Sequence, residues 1–270
     1  MAVELSDLQV LRPGAGAPVT LVDRVSFTVP DGSSLGIIGE SGSGKSLTLK
    51  AMLGLLPRGI EAVGGRVRVG EEELTLPTDP RRHAGFARRA GLGMVFQDPS
   101  TALDPLLTVG TQLREVHRYH HPRPRPRTDP VAELLAAVEL DAGLADRHPH
   151  TLSGGQRQRV VIALALAAGP RVLLCDEPTT ALDVTVQATI LALLARLRAE
   201  RGLTLIFVSH DLAVVSRVAD HALVLQHGVV VARGTIAEIV GSPPAGYAQM
   251  LVETARDTER ALHELRGARR

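Results

Sequence analysis

The sequence predicts an α/β fold in which a mostly parallel sheet is buried on both faces. Three apolar runs carry this prediction, because they lack the alternation of polar and apolar residues that a half-exposed strand shows. They are Ser34–Ile38, Val172–Cys175 and Leu203–Ser209. A glycine-rich segment and a run of helical composition, residues 47–56, follow the first of them. The chain has 270 residues, 44% of them hydrophobic, which suits one domain with an inserted subdomain.

The glycine-rich segment, residues 39–46, matches the pattern G-x-x-x-x-G-K-[ST] of a phosphate-binding P-loop. In this motif backbone N–H groups surround the phosphates, the lysine reaches the β- and γ-phosphate oxygens, and the last hydroxyl holds Mg²⁺. Only two of the 30 basic residues are lysines, and Lys45 stands where a compact ammonium fits better than a guanidinium. The candidate nucleotide-binding residues are Gly39, Glu40, Ser41, Gly42, Ser43, Gly44, Lys45 and Ser46.

A second glycine-rich loop, Leu152–Gln156, has the composition of a phosphate-binding segment but carries no charge. Such a loop completes a phosphate site only where another surface supplies the lysine and the metal. We therefore predict that it acts across a dimer, on a nucleotide that the facing subunit holds.

Two carboxylates, Asp176 and Glu177, follow the apolar run 172–175, and His210 follows the run that ends at Ser209. The carboxyl ends of parallel strands face the ligand crevice, so we expect Asp176 to face Mg²⁺ and Glu177 to polarise the attacking water. The alternative is an acidic pair that opens a loop. His210 is one of ten histidines, most of which need no chemical role, but it lies at a strand end of the same sheet.

An antiparallel β layer is predicted beside the nucleotide from residues 3–30 and 65–76, which are rich in strand formers. Turns are expected at Asp31-Gly32 and at Gly64-Gly65. The strand Gly93–Phe96 leads into Gln97.

Helical composition runs from residue 108 to about residue 168. The basic, proline-rich stretch 120–127 interrupts it, and we interpret that stretch as an extended solvated loop rather than a contact for nucleic acid or lipid. The tail after Thr254 is predicted to be a charged, exposed helix.

Composition argues against several classes of protein. A formal net charge of +1 gives no general attraction to nucleic acid. The single cysteine, Cys175, allows no internal disulfide and is expected to be a small core residue in a reducing compartment. The acidic N-terminus does not resemble a signal peptide, and the longest apolar stretch, residues 160–168, is too short to span a bilayer. We expect any membrane path to belong to other chains.

Taken together, these motifs resemble those of the ATP-binding subunit of an ABC transporter, from about Leu8 to Val252. The resemblance implies a P-loop NTPase core with a mostly parallel sheet, an antiparallel β layer and an inserted helical subdomain. In the terms of that family, the matching segments are Walker A (Gly39–Ser46), the Q-loop (Gln97), the signature (Leu152–Gln156), Walker B (Val172–Glu177), the D-loop (Ala181–Asp183) and the H-loop (His210).

Finer features resemble the branch of dipeptide, oligopeptide and nickel importers. They are the segments Gly39–Thr48, Phe96–Pro99, Leu103–Pro105, Thr108–Gly110 and Asp176–Gln187. Ser43 and Thr179-Thr180 resemble the first of the two ATPase subunits that such importers use.

The chain departs from the family pattern at two places. It lacks the aromatic residue on which members commonly stack adenine, and Arg12 is either a substitute that stacks on the base or a solvated arginine. The segment Pro243–Tyr247 keeps only part of the stretch that this branch carries near its C-terminus.

The resemblance implies hydrolysis of ATP held between two subunits. Ser46, Gln97 and Asp176 are the implied Mg²⁺ ligands, directly or through water. The implied catalytic residues are Glu177, His210, Gln97 and Asp183, with Ser153 and Gly155 donated by the facing subunit. We expect one ABC ATPase domain, with a core at about 1–98 and 170–252, a helical signature subdomain at about 99–169 and a tail at 253–270.

The implied partners are a second, different ATPase subunit, two integral membrane permeases that dock at residues 98–107, and indirectly an extracytoplasmic substrate-binding protein. The expected location is the cytoplasmic face of the cell membrane, without a nucleic acid partner. Two alternatives share the same chemistry, namely an exporter subunit and a soluble ABC ATPase of translation or DNA repair. The soluble class typically shows tandem domains or a long coiled coil, and this sequence has neither.

Overall fold

The computed structural model describes residues 3–14, 16–121, 129–180 and 182–256. The strands are β1 (Val3–Arg12), β2 (Val19–Val29), β3 (Ser34–Ile38), β4 (Glu61–Val69), β5 (Glu72–Thr75), β6 (Leu92–Val95), β7 (Val172–Asp176), β8 (Thr204–Ser209), β9 (His221–Gln226) and β10 (Val229–Thr235). The helices are α1 (Lys45–Leu53), α2 (Pro80–Arg89), α3 (Pro99–Ala102), α4 (Val109–His120), α5 (Val131–Ala137), α6 (Gly154–Ala167), α7 (Val184–Arg201), α8 (Leu212–Val215), α9 (Ile236–Gly241) and α10 (residues 247–256).

The strands form two sheets. A four-stranded antiparallel sheet has the order β2-β1-β4-β5, and a six-stranded sheet has the order β10-β9-β3-β8-β7-β6. In the larger sheet only the edge pair β10–β9 is antiparallel. The predicted mostly parallel sheet and the antiparallel layer are both confirmed.

Strands β3, β7 and β8 of the six-stranded sheet are buried on both faces, which explains why they lack alternation, whereas the edge strand β10 is largely outside the core. Ile38 of β3 packs with the helices of one face, whereas Ile37 packs with the antiparallel sheet and α1 on the other. Leu173 and Leu174 of β7 divide in the same way. Cys175 is fully buried as predicted, and burial raises the pKa of its thiol.

The parallel strands bring the predicted site residues to one edge. Ile38 at the end of β3 pairs with Ser209 at the end of β8, and Val95 at the end of β6 pairs with Cys175 of β7. The segments that follow these four strands therefore begin side by side.

One of the two predicted turns is wrong. Asp31-Gly32 forms a turn, but Gly64-Gly65 lies inside β4, and the turn between β4 and β5 is at residues 70–71. Gly65 has a φ of 125°, and a Cβ on it would lie 2.8 Å from Leu8 Cα. The register between β1 and β4 shifts at this point, so the glycine pair accommodates a bulge.

The segment between β6 and β7 contains α3 to α6 and two 3-10 helices, Ala142–Asp146 and Pro149–Thr151. Leu113, Leu135 and Ile162 are buried within it. The inserted helical subdomain is thereby confirmed as part of the fold, whereas the exact boundaries between core, subdomain and tail stay a prediction.

The predicted loop at 120–127 and the region near the C-terminus differ in detail from the structure. His120, the first residue of the predicted 120–127 loop, is instead the last residue of α4, and residues 122–128 lie outside the described residues. Tyr247, Ala248 and Val252 of α10 are buried against the core, so the chain is packed beyond the Pro243–Tyr247 segment. Residues 257–270 of the predicted tail helix also lie outside the described residues. Each helix in the described part of the chain is too short or too polar to cross a bilayer.

Candidate functional site

The loop between β3 and α1 is built to present backbone amides. Gly42 and Gly44 have φ values of 81° and 98°, a left-handed conformation that glycine adopts without strain. Gly44 is the residue before α1 and has no side chain to cap it. The first-turn amides of α1 thus remain available to an anion at the positive end of the helix.

Strand β9 and the turn that follows it contact this loop closely. A Cβ on Gly39 would lie 2.2 Å from the carbonyl oxygen of Leu225, so only glycine fits there. The turn between β9 and β10 donates a hydrogen bond from Gly228 N to Ser43 O at 3.1 Å. The position of the loop is therefore set by the sheet rather than by the loop alone.

Lys45 lies inside the loop, where its side chain is almost fully buried. Its Nζ donates to Gly39 O and Glu40 O at 2.8 Å each, and lies 3.9 Å from Glu177 Oε1. Burial lowers the pKa of Lys45, and the nearby carboxylates of Glu177 and Asp176 oppose this effect. The ammonium is thus positioned in the loop by backbone carbonyls.

Ser46 and Asp176 are brought together as the sequence predicts. Ser46 Oγ donates to Asp176 Oδ1 at 2.5 Å. Lys50 Nζ lies 3.7 Å from Asp176 Oδ2, a contact that sequence reasoning missed. Ser46 and Lys50 are four residues apart on α1 and so share one helix face, which was the available signal. Both lysines of the chain therefore lie beside the two carboxylates.

Glu177 is the centre of a second group of contacts. Its Oε2 accepts hydrogen bonds from Thr180 Oγ1 at 2.9 Å and from Gln97 Nε2 at 3.3 Å. His210 Nδ1 lies 3.5 Å from the same oxygen. The backbone of Glu177 has a φ of 45°, and its N–H donates to Val208 O at 3.1 Å. The structure thus unites Gln97, Glu177 and His210, and it adds Thr180 as a hydrogen-bond donor.

An open cavity of about 190 Å³ lies at this group. It is lined by Ser41, Gly42, Gly44, Lys45, Ser46, Leu47, Gln97 and Glu177. The second glycine-rich loop and Asp183 contribute nothing to this lining. Arg12 is exposed at the end of β1, which is compatible with stacking on a base and equally with simple solvation.

The second loop is capped at the start of α6 and exposes Ser153, whereas Leu152 is buried and Gly154, Gly155 and Gln156 are partly buried. Ser153 Oγ accepts from Gln156 N at 3.2 Å, and Gln156 Oε1 accepts from Ser153 N at 3.0 Å, which together make a capping box at the start of α6. Because Ser153 Oγ accepts this bond, its own proton stays available to an acceptor outside the chain. Asp183, also exposed, accepts from Thr185 N and Val186 N at 3.0 Å and so caps α7.

These features define a class of protein, a P-loop nucleotide hydrolase with a second glycine-rich loop displayed away from its own phosphate site. The family model described as ABC transporter matches residues 22–180. The chain therefore belongs to the ABC transporter family, as the motifs indicate.

Similar proteins agree with this assignment. A putative peptide import ATP-binding protein of Brucella abortus is 43% identical, over 97% of this chain and 80% of its own length. A dipeptide transport ATP-binding protein of Haemophilus influenzae is 40% identical, over 93% of this chain and 77% of its own length. A dimeric post-hydrolysis structure of the ATP-binding cassette MJ0796 bound to ADP and Pi is 30% identical, with a TM-score of 0.73, and covers 87% of this chain and 98% of that chain.

The P-loop NTPase fold of ABC cassettes is thus confirmed, and the chain is an ATP-binding, ATP-hydrolysing subunit of an ABC transporter.

Proposed function

We propose that this chain energises an importer of peptides or nickel complexes, as one of a pair of ATPase subunits attached to two membrane permeases. The name of the Brucella abortus relative, which specifies peptide import, supports import over export, and the dipeptide transport named for the Haemophilus influenzae relative supports transport over a soluble role. The observation that carries the pairing is the second loop, whose Ser153 is exposed and which lies outside the cavity lined by the P-loop.

For ATP, the residues of the P-loop suit the β- and γ-phosphates. Lys45 gives up its bonds to the Gly39 and Glu40 carbonyls and turns to phosphate oxygen, which is the stronger acceptor. Amides of the α1 N-terminus surround the same group.

For Mg²⁺, the donor set beside the P-loop consists of hard oxygens. Ser46 Oγ and Asp176 Oδ1 are already in contact, and Gln97 borders the same cavity. Mg²⁺ usually keeps waters and substrate phosphates and takes only one or two carboxylates from the protein, so this set fits. When bound, the ion neutralises charge on the phosphates.

For hydrolysis, Glu177 is the residue that orients and polarises the attacking water. Its Oε2 is held by Thr180 and Gln97, so the carboxylate needs little reorganisation when the water arrives. His210 lies beside this oxygen and is exposed, which leaves it free to contact the γ-phosphate.

The facing subunit supplies what the cavity lacks. Ser153 and the Gly154-Gly155 amides of that subunit approach the γ-phosphate with the positive end of α6. Asp183 and Val184 lie on the same exposed side, and the apolar side chain of Val184 is 70% exposed. We expect ATP to hold the two chains together and hydrolysis to release them.

Membrane attachment is proposed to occur through residues 98–107, which join the core to the helical subdomain. Leu106 in this segment is 82% exposed, an apolar side chain that suits a groove or helix of a permease. In this proposal the chain lies at the cytoplasmic face of the membrane, and the extracytoplasmic binding protein meets only the permeases.

The test is affinity purification of the complex from its own cells, followed by identification of the co-purifying chains. We expect two permeases and a second ATPase chain. Leu106→Ser should lose the permeases and keep the ATPase partner, whereas Met250→Ser, at an apolar residue that is 49% exposed on α10, should change neither. Ribosomal or DNA-repair proteins in place of permeases would refute the proposal.

Replacing Lys45 with arginine is expected to weaken ATP binding about tenfold or more, ~1.4 kcal/mol, although the charge is conserved. The reason is shape, because a planar guanidinium is too wide for the nest of amides and carbonyls that surrounds Lys45 Nζ. Titration with a fluorescent ATP analogue measures the change. Lys50→Arg, made on the same helix, keeps a cation beside Asp176 and should lose less affinity than Lys45→Arg. Wild-type affinity for Lys45→Arg would place Lys45 outside the phosphate site.

A further inference from the structure

The second glycine-rich loop approaches the side chain of Val186 on α7 closely at Gly155. A Cβ built on Gly155 would lie 2.8 Å from Val186 Cγ1 and 4.0 Å from Val186 Cβ. Gly155 is in the first turn of α6 without a left-handed φ, so backbone conformation does not require glycine there. The close approach of the Val186 methyl group does.

Val186 is itself held in place by the D-loop. The Asp183 carboxylate accepts a hydrogen bond from Val186 N at 3.0 Å, which fixes the first turn of α7. A β-branched residue in a helix has one strongly preferred χ1 rotamer, so the methyl groups of Val186 have a defined position. Leu182 precedes Asp183, and its Cδ2 would lie 3.7 Å from a Cβ built on Gly154. The D-loop and the second loop are thus in direct contact within one chain.

We propose that Val186 is a positioning residue. Its methyl groups hold the second loop in the position from which Ser153 and the Gly154-Gly155 amides reach the nucleotide of the facing subunit. Loss of the methyl contact lets the start of α6 shift, and a displacement of about 1 Å is enough to reduce a reaction strongly. The inference rests on the proposed two-chain site. It adds that the site depends on the contact between the D-loop segment and the second loop within one chain.

The experiment uses the purified pair of ATPase chains, with this chain mutated and its partner unchanged. Trapping of photoreactive 8-azido-ATP reports each chain's own site separately. Val186→Ala should reduce turnover at the partner's site about tenfold and leave nucleotide affinity at this chain's own P-loop unchanged. Val186→Thr keeps the β-branched shape and should retain most of the turnover, which separates a shape requirement from general instability.

Val116→Ala is the matched control. Val116 of α4 is, like Val186, partly buried against the same core, and its replacement by alanine removes the same two methyl groups. We expect wild-type trapping at both sites. Alanine is the better helix former, so neither substitution weakens its helix.

A double substitution tests the contact itself. Gly155→Ala should lose turnover at the partner's site, and adding Val186→Ala should recover at least about threefold, because the new Cβ then meets only Cβ at an ordinary 4.0 Å. A double variant no better than Gly155→Ala, or a Val186→Ala variant with wild-type trapping at the partner's site, overturns the proposal. Failure of the wild-type pair to associate in ATP would instead refute the two-chain site.

Discussion

Glu177→Gln is expected to leave ATP binding intact and to slow hydrolysis at least about a hundredfold, ~2.7 kcal/mol in the barrier. The substitution removes the negative charge that polarises water but keeps length and shape. Glutamine also has to adopt the same φ of 45° as glutamate, so the substitution does not change the demand on the backbone. Because the ATP is bound but not consumed, an ATP-held dimer should accumulate.

Single-turnover hydrolysis and size-exclusion chromatography in ATP measure the two effects. Thr180→Val serves as the comparison, since it removes the 2.9 Å hydrogen bond to Glu177 Oε2 but keeps the carboxylate. We expect that variant to lose less than tenfold. Hydrolysis by Glu177→Gln within about tenfold of wild type would exclude the role of Glu177 as the group that polarises water.

Ser153→Arg is expected to abolish hydrolysis at the partner's site while this chain still binds ATP in its own P-loop. A long cationic side chain cannot occupy the position of a hydroxyl that approaches the γ-phosphate closely. In a mixed pair, the defect should therefore appear in the chain that is not mutated.

The arginine also removes the cap of α6, which by itself costs roughly 0.5–2 kcal/mol of stability. Ser153→Asp separates the two causes, because aspartate caps a helix well but places a negative charge against the phosphate. We expect the same loss in trans for Ser153→Asp. His150→Arg, an exposed position three residues earlier, controls for the added arginine and should have no effect.

Cross-linking in ATP together with site-specific nucleotide trapping gives the readout for these variants. Trapping that disappears only in the mutated chain would contradict the head-to-tail arrangement of the two chains. It would also mean that the second loop does not act on a nucleotide held by a facing subunit.

The parallel sheet and the location of the site could be predicted because both depend on short-range patterns. An apolar run without alternation reports burial on both faces, and the polar residue that follows it, such as Asp176 or His210, must lie at the carboxyl edge. No knowledge of which strands are neighbours was needed for that step.

Contacts between distant segments could not be predicted in the same way. Gly64-Gly65 has the composition of a turn, and only the approach of Leu8 from β1 reveals that the pair sits in a bulge. The sequence alone shows Thr180 only as part of a resemblance to the importer branch, and its hydrogen bond to Glu177 depends on how the chain bends after β7. The burial of Tyr247 likewise depends on where α10 returns to the core.

At Glu177 the residue that suits the left-handed backbone best and the residue that hydrolysis requires are different, so stability and turnover favour different side chains. A non-glycine residue in this region of conformational space carries a cost of about 1–3 kcal/mol, which glycine avoids and asparagine tolerates well. A library screened only for heat resistance should therefore enrich glycine or asparagine at this codon. A library screened for growth that requires uptake should return glutamate, so comparing the two outcomes measures how much stability the chain gives up for its chemistry.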